Sequence, residues 1–282
     1  MLCRRMVGKL QWLCPVRPDL NYSVKELARA LSAPTKVHVT RLKHLCRYLK
    51  GTKNVYFRIL PDFPNSMVSR MVEIDVFVDS DWAGCRESRK STSGYLVSIS
   101  GTFISHASKT QTSVALSSGE AELYAIGSGI TEALYLRNLL LEARITAKVS
   151  VRVHTDSSAG KSMASRPGTS KRAKHTELRY LFMQELVTSG KIELFKISTL
   201  QNSADIFTKS LTNAQQFAQL RDLVAVHDLT QPGTHLQVPS RVSCIGSVVC
   251  PCLPVSLRLA MDSEMAYRVW SQSGSQEPPN VT

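Results

Sequence analysis

The chain has 282 residues, of which 43% are hydrophobic and 20% charged, and this balance excludes a chain that is disordered throughout. Its 35 Lys and Arg against 22 Asp and Glu give a formal net charge of +13, which favours a polyanionic partner. No apolar run reaches the roughly 18 residues needed to span a bilayer, so we expect no membrane contact. The seven cysteines are unevenly spaced, so we expect an intracellular protein, cytoplasmic or nuclear.

The charge divides the chain into three regions. Residues 1–60 hold 13 Lys and Arg but only two acidic residues, and we predict that they form a basic helical segment. Residues 68–212 are nearly balanced in charge and are predicted to form an α/β body. Residues 213–282 are rich in Ser, Pro, Val and Gln with weak periodicity, and we predict a poorly ordered tail of unassigned function.

Two helices are predicted in the basic segment. Val24, Leu27 and Leu31 recur at helical spacing, and Ser23 with Glu26 matches a capping box. A second helix over residues 35–49 leaves five basic side chains facing outward: Lys36, Arg41, Lys43, Arg47 and Lys50. A face of one charge sign gains nothing from ion pairs along the helix, so it is either a solvated surface or a surface that follows phosphates.

The body alternates strand and helix signals. In chain order we expect a strand over 72–79, an antiparallel pair over 95–99 and 102–106, and a long helix that Ser117 and Glu120 cap and that ends near Ala143. A strand over 149–156, a helix over 175–188, a strand over 192–197 and a last helix from about Ser203 complete it. This order predicts an α/β fold with a mixed five-stranded sheet flanked by helices.

Four acidic residues stand at the ends of these buried elements. Asp79 ends the first strand and Asp156 ends the fourth; Glu122 lies one turn into the long helix and Asp205 opens the last. Ala125, Gly129 and Ala133 follow Glu122 along the helix and permit a close approach to the sheet, whereas Glu120 serves the cap. Converging carboxylates repel one another and favour oxygen-bound cations, so the pattern indicates Mg²⁺ or Mn²⁺.

Each acid also has a structural interpretation that its local sequence leaves open. Asp205 could be a favourable charge at a helix start, and Asp156 could cap a helix that begins at Ser157. Asp79 or Asp81 could make a side-chain turn with the following backbone. Trp82 and Tyr95 are interpreted as core residues rather than as platforms for bases.

Longer motifs carry a family resemblance. The segments are VDSDWAGCRESRKSTSGYLVSISG, SSGEAELYAI, HTDSSAGKSMA, SKRAKHTELRYLFMQELVTSGKIELFKI and NSADIFTKSL, and they occur in this order between about Val68 and Leu211. Together they closely resemble the ribonuclease H region of copia-type retrotransposon Pol polyproteins. Upstream, RPDLNYSVKELARAL through RYLKGTKN resembles the end of the reverse transcriptase and the segment that connects it to this region.

The resemblance implies a ribonuclease H-like fold and an endonuclease that cuts the RNA strand of an RNA/DNA hybrid with two Mg²⁺ ions. It assigns the catalytic and metal-binding roles to four acids: Asp79, Glu122, Asp156 and Asp205. Asp79 is preferred over Asp81 because it directly follows the strand, and the second-place Glu122 argues against strand transfer of the integrase type. The resemblance also implies a reverse transcriptase portion of a Pol polyprotein as a partner.

Departures from the family pattern leave alternatives. The sequence contains no Asp-Asp pair, so we expect no polymerase activity on this chain. A catalytically inactive, nucleic-acid-binding remnant is the main alternative to an active nuclease, and an interaction module without nucleic acid is a third. Lys171, Arg172 and Lys174 could contact phosphates, while His175 is interpreted as a packing or orienting residue.

Overall fold

A computed structural model describes residues 2–59, 71–165 and 177–228 of the chain. Its first part is a helical unit of three helices: α1 (Leu2–Leu13), α2 (Asn21–Arg29) and α3 (Lys36–Gly51). Buried side chains from these helices and from the turns between α1 and α2 form one core: Val7, Leu10, Cys14, Leu20, Val24, Leu27, Leu42 and Leu45. The two predicted helices are therefore present, and α1 is an addition that the sequence patterns did not reveal.

The predicted start of α2 is wrong. The helix begins at Asn21, so Ser23 lies inside it, and no side chain caps its start. Glu26 instead pairs with Lys25 at 2.6 Å and with Arg29 at 3.3 Å. Helix α3 begins as predicted, and Thr35 and His38 form its capping box. The five basic side chains that are predicted to face outward are exposed.

A mixed five-stranded sheet forms the centre of the body, as predicted. Its strands are β2 (Met71–Asp81), β3 (Thr92–Ile99), β4 (Thr102–Thr110), β5 (Lys148–Thr155) and β6 (Glu193–Lys196). Their order is β4-β3-β2-β5-β6, in which β2, β3 and β4 are antiparallel and β5 and β6 run parallel to β2. Because β2 is central and parallel to β5, both strands end at the same edge of the sheet.

Helix α4 (Ser118–Glu142) packs directly across β2. Ser117 caps it by accepting a hydrogen bond from the backbone N–H of Glu120, as the sequence predicts. The predicted row of small residues is fully buried, and a Cβ at Gly129 would come within 2.8 Å of both Val76 and Val78 on β2. Two further helices, α5 (Ser158–Ser165) and α6 (Glu177–Thr188), follow β5.

The C-terminal part of the body differs from the prediction. The expected helix at Ser203 is a five-residue 3-10 turn, Ser203–Phe207. Residues predicted to begin a poorly ordered tail instead form helix α7 (Ala214–Leu223) and strand β7 (Val226–Asp228). Strand β7 pairs antiparallel with β1 (Val55–Phe57), and Leu220, Val224 and Val226 are buried with Leu96 and Phe207. Residues 229–282 lie outside the described part of the chain.

The helical unit contacts the sheet through α2. The side chain of Asn21 hydrogen-bonds His106 on β4 at 2.9 Å, and Lys25 Nζ donates to the Thr92 hydroxyl on β3 at 3.0 Å. These two bonds attach the basic segment to strands β3 and β4, the strand pair beside β2.

Among the described residues, no helix is long and apolar enough to cross a membrane.

The contact between α4 and β2 can be tested at two glycines of the same helix. We expect Gly129→Ala to lower the free energy of unfolding by about 1–3 kcal/mol, because the added methyl group overlaps Val76 and Val78. Gly127→Ala is the matched control: its Cβ would make only an ordinary contact with Met183 at 3.5 Å, and alanine favours the helix by up to about 1 kcal/mol. Urea denaturation of both variants measures the difference, and equal effects would contradict close packing at Gly129.

Candidate functional site

The site begins where β2 and β5 end together. Asp79 lies near the end of β2 with 5% of its surface exposed, and Asp156 directly follows the last residue of β5. The two strands are in parallel register up to Val78 and Thr155. Asp79 and Asp156 are therefore the next residues on adjacent strands, which brings their carboxylates to one edge of the sheet.

A buried asparagine holds the third acid against this edge. Asn202 is fully buried; its amide nitrogen donates to the carbonyl oxygen of Val78 at 3.0 Å, and its amide oxygen accepts from the N–H of Ala204 at 3.2 Å. Asp205 lies in the 3-10 turn that begins just after Asn202. The turn is therefore attached to β2 at the residue that precedes Asp79.

Gly94 allows that turn to lie flat on the sheet. It is the partner of Asp79 in the β2–β3 ladder, and a Cβ at this position would come within 2.7 Å of Thr208 and 2.9 Å of Phe207. Both contacts are shorter than real Cβ atoms make, so any side chain here would push the turn, and Asp205 with it, away from Asp79.

Three of the four predicted acids meet as a result. One carboxylate oxygen from each of Asp79, Asp156 and Asp205 lies within 4.8 Å of the other two. Asp79 and Asp205 are buried, whereas Asp156 is half-buried. We refer to these three residues as the carboxylate cluster. It has one side open to solvent through Asp156.

Glu122 lies beside the cluster on α4. It is 8% exposed, and α5 packs so closely against it that a Cβ at Gly160 would come within 2.8 Å of the Glu122 Cβ. Burial and the nearby Asp79 carboxylate raise the pKa of Glu122 to about 8. Glu120 has other contacts, since it accepts hydrogen bonds from the Leu116 N–H and the Tyr124 hydroxyl.

Two side chains after Asp205 partly offset the repulsion within the cluster. The Thr208 hydroxyl donates to Asp79, and Lys209 Nζ lies 2.9 Å from Asp205 Oδ2. Burial and the charge of Asp205 nevertheless raise the pKa of Asp79 to about 7. The sequence reasoning missed Asn202, Thr208 and Lys209; the signal that could have found the last two is their spacing, which is one helical turn from Asp205.

The arrangement fits a divalent cation. Glu122 Oε2 and Asp205 Oδ1 are buried, and neither accepts a hydrogen bond from any described residue. Buried carboxylate oxygens without donors are costly unless a cation contacts them. The four side chains offer oxygen ligands only, the set that Mg²⁺ and Mn²⁺ prefer. Asp79, Glu122, Asp156 and Asp205 could therefore hold such ions.

Other residues singled out from the sequence fall in different places. Tyr95 is buried with 4% exposure, as expected of a core residue. Trp82 is not a core residue: half of its surface is exposed, and its indole Nε1 donates to the carbonyl oxygen of Ala115 at 3.0 Å. The basic residues Lys171, Arg172 and Lys174, together with His175, lie outside the described residues.

Comparisons with known proteins find retrovirus-related Pol polyproteins among the relatives of this chain. The chain is 32% identical over 219 residues to the retrovirus-related Pol polyprotein from transposon RE1 of Arabidopsis thaliana, a match that covers 76% of the chain and 14% of that polyprotein. It is 33% identical over 222 residues to the corresponding polyprotein from transposon TNT 1-94 of Nicotiana tabacum, covering 78% of the chain and 16% of the relative. The chain thus spans only a small part of these relatives.

Comparisons with family models and with solved structures are less informative than the comparison with sequences. No protein-family model matches the chain. Among solved structures, the N-terminal RNase H domain of a Mycobacterium tuberculosis protein aligns with a TM-score of 0.37 at 16% identity, covering 48% of this chain and 95% of that one.

Metal binding by the cluster can be separated from activity. We expect Mn²⁺ to raise the melting temperature of the full chain, and Asp79→Asn to abolish that rise because the amide removes a ligand charge. Without metal, the same variant should melt higher, by about 2–4 °C for each kcal/mol of repulsion it relieves.

Asp81→Asn is the matched control for this experiment, since Asp81 lies on the same strand but outside the carboxylate cluster. It should keep the Mn²⁺-dependent rise in full. A rise that survives in Asp79→Asn, or disappears in Asp81→Asn, would contradict the assignment of ligands.

Proposed function

The chain belongs to the retrovirus-related Pol polyproteins of copia-type transposons, and from that premise we propose that it is a metal-dependent endonuclease that cleaves the RNA strand of RNA/DNA hybrids. The observation that carries the proposal is the convergence of Asp79, Asp156 and Asp205 within 4.8 Å, with Glu122 buried beside them. All four acids that the resemblance assigns to catalysis are intact, which favours an active nuclease over a binding remnant.

The chemistry follows from what the acids can hold. Two divalent cations, when bound, supply the positive charge that activates a water and stabilises the leaving oxygen in phosphodiester hydrolysis. Asp79 and Asp205 lie deepest and fix the positions of the ligand oxygens, because the Thr208 hydroxyl and the Asn202 amide hold the strand end and the turn together. Half-buried Asp156 faces the side from which a substrate can approach.

Glu122 has a distinct place in this proposal. Its raised pKa favours the protonated carboxyl until a cation arrives, since burial and Asp79 both disfavour the charge. Its buried Oε2 atom accepts no hydrogen bond from a described residue, so it could ligate a cation once the carboxyl has lost its proton.

Lys209 is a resident cation of the site. Its ammonium group contacts Asp205 at 2.9 Å, and the neighbouring acids Asp79 and Asp205 help to raise its pKa against the opposing effect of burial. We propose that Lys209 neutralises part of the negative charge of the cluster. Its side chain is 40% exposed, so it could also contact a substrate phosphate.

The basic face of α3 supports a nucleic-acid partner. Lys36, Lys43, Arg47 and Lys50 share one side of the helix at a spacing of 7, 4 and 3 residues, and all four are exposed. They extend over about 21 Å, and α3 contains no acidic residue. We propose that this face follows the phosphates of the hybrid, within a segment that resembles the end of the reverse transcriptase in copia-type polyproteins.

The activity is tested with the purified full chain, a labelled RNA/DNA hybrid and Mg²⁺. We expect cleavage of the RNA strand, no cleavage of single-stranded RNA or duplex DNA, and a loss of about 10²-fold or more in Asp156→Asn. Asp222→Asn, an exposed acid on α7, is the control that should retain the rate. Cleavage that is equal in Asp156→Asn and the unsubstituted chain, or no cleavage at all, would overturn the proposed function.

The role of α3 in phosphate binding is tested by salt. Replacing Lys36, Arg47 and Lys50 with Gln should reduce the slope of log K against log salt for hybrid binding by about 0.9 for each phosphate that the variant no longer neutralises. The matched control replaces Arg144, Lys148 and Lys191, three exposed basic residues at the opposite edge of the sheet from Asp156. Binding is measured in Asp156→Asn to prevent cleavage, and equal slopes in both triple variants would contradict the role of α3.

A further inference from the structure

Trp82 is a large apolar side chain that stands half exposed next to the carboxylate cluster. It follows the last residue of β2, three positions after Asp79. Its indole N–H donates to the carbonyl oxygen of Ala115, in the loop that leads into α4. The ring therefore bridges the two elements that carry Asp79 and Glu122, while its other side remains in contact with solvent.

Two local features shape the turn that carries Trp82. Ala83 adopts a left-handed backbone with a φ of 54°, and its N–H donates to the Ser91 hydroxyl at 3.0 Å. The Asp81 carboxylate lies against Gly84, so its side chain would have to move if any other residue stood there. A preorganised turn fixes the exposed ring at little cost in entropy when a ligand binds.

Two further apolar side chains flank the point where the indole is anchored. Val114 is 47% exposed and Leu116 is 70% exposed, and they are the chain neighbours of Ala115. We name Trp82, Val114 and Leu116 the apolar rim. A single exposed apolar residue needs no explanation, but three at one place beside a polar site indicate a binding surface.

The surroundings of the apolar rim indicate its partner. The carboxylate cluster, a site for cations and a phosphodiester, lies at the same strand end, and the loop between β2 and β3 presents exposed Arg86 and Arg89. Apolar side chains near a candidate metal site, one of them on the same loop as basic side chains, match a sugar–phosphate strand, in which apolar sugar faces alternate with anionic phosphates. Bases inside a duplex are stacked on one another, so the sugars are the apolar groups that a surface ring can reach.

We propose that the apolar rim packs against the sugar rings of the RNA/DNA hybrid at the carboxylate site, with Trp82 as the main contact. This inference rests on the proposed function and adds to it a surface that positions the substrate. It assigns Trp82 to substrate binding rather than to the reaction step, so its loss should raise KM more than it lowers kcat.

The contact can be observed without altering Trp82. In a full chain that carries Trp12→Phe and Trp270→Phe together with Asp156→Asn, Trp82 is the only tryptophan. Adding a hybrid should shift its emission to shorter wavelength, because packing removes water from the ring, and the shift should saturate together with the fluorescence anisotropy of a labelled hybrid. Anisotropy that rises while the emission stays constant would overturn the proposal, and so would a chain that binds no hybrid.

Variants of Trp82 distinguish the packing of its ring against the substrate from its hydrogen bond to the loop before α4. Trp82→Ala should raise KM for the hybrid roughly tenfold, while Trp82→Phe, which keeps a ring but loses the bond to Ala115, should recover most of that loss. Leu116→Ser should raise KM without changing the melting temperature, since the Leu116 backbone and not its side chain bonds Glu120. Leu139→Ser, a similarly exposed leucine at the far end of α4, is the matched control and should leave KM unchanged.

The outcomes are distinct from those that test the nuclease. If Trp82→Phe is as impaired as Trp82→Ala, the indole acts through its bond to the α4 loop and the packing proposal fails while the cleavage activity stands. If the unsubstituted chain cleaves nothing but Trp82 responds to hybrid, the proposed nuclease fails and the binding surface remains.

Discussion

The close approach of α4 to β2 is the constraint on which the rest of the site depends. At Gly129 the two elements are so near that a single methyl group would overlap Val76 and Val78. That separation sets the depth at which the first turns of α4 meet the end of β2, and so brings Glu122 beside Asp79. A second close contact, at Gly160 of α5, lies against the Cβ of Glu122. Two glycines that take no part in chemistry therefore fix the position of a catalytic candidate.

The site buries carboxylates next to one another, which is unfavourable for the folded chain. Asp79 and Asp205 are buried next to each other, and burial together with the mutual repulsion raises the pKa of Asp79. The sheet tolerates this because Asn202 and Thr208 bond the turn to β2, and because Lys209 neutralises Asp205. The cluster is thus a locally unfavourable feature held by a well-packed scaffold, a common compromise at functional sites. A bound cation would offset most of the repulsion between the carboxylates.

Much of this arrangement could be predicted from the sequence, because strand alternation and helical periodicity report which face of an element is buried. The parallel pairing of β2 with β5 made the meeting of Asp79 and Asp156 predictable, and the small residues of α4 indicated which glutamate faces the sheet. The failures have local causes. Ser23 and Glu26 match a capping box, yet packing of the preceding turns starts α2 earlier. Trp82 was assigned to the core because composition cannot tell on which side of a turn a ring lies, and Asn202 was missed because its partner is distant in sequence.

The small ladder between β1 and β7 joins two segments that are far apart in the described chain. Val55 is paired with Asp228, and Val226 is buried in the same apolar group as Phe57 and Phe207. During synthesis, the three N-terminal helices emerge long before the strand that completes this ladder. Such a contact has a high sequence separation, so it closes late and slowly compared with helix pairs. A chain that stopped before β7 would leave β1 without its strand partner and would remove Val226 from the apolar group that contains Phe207.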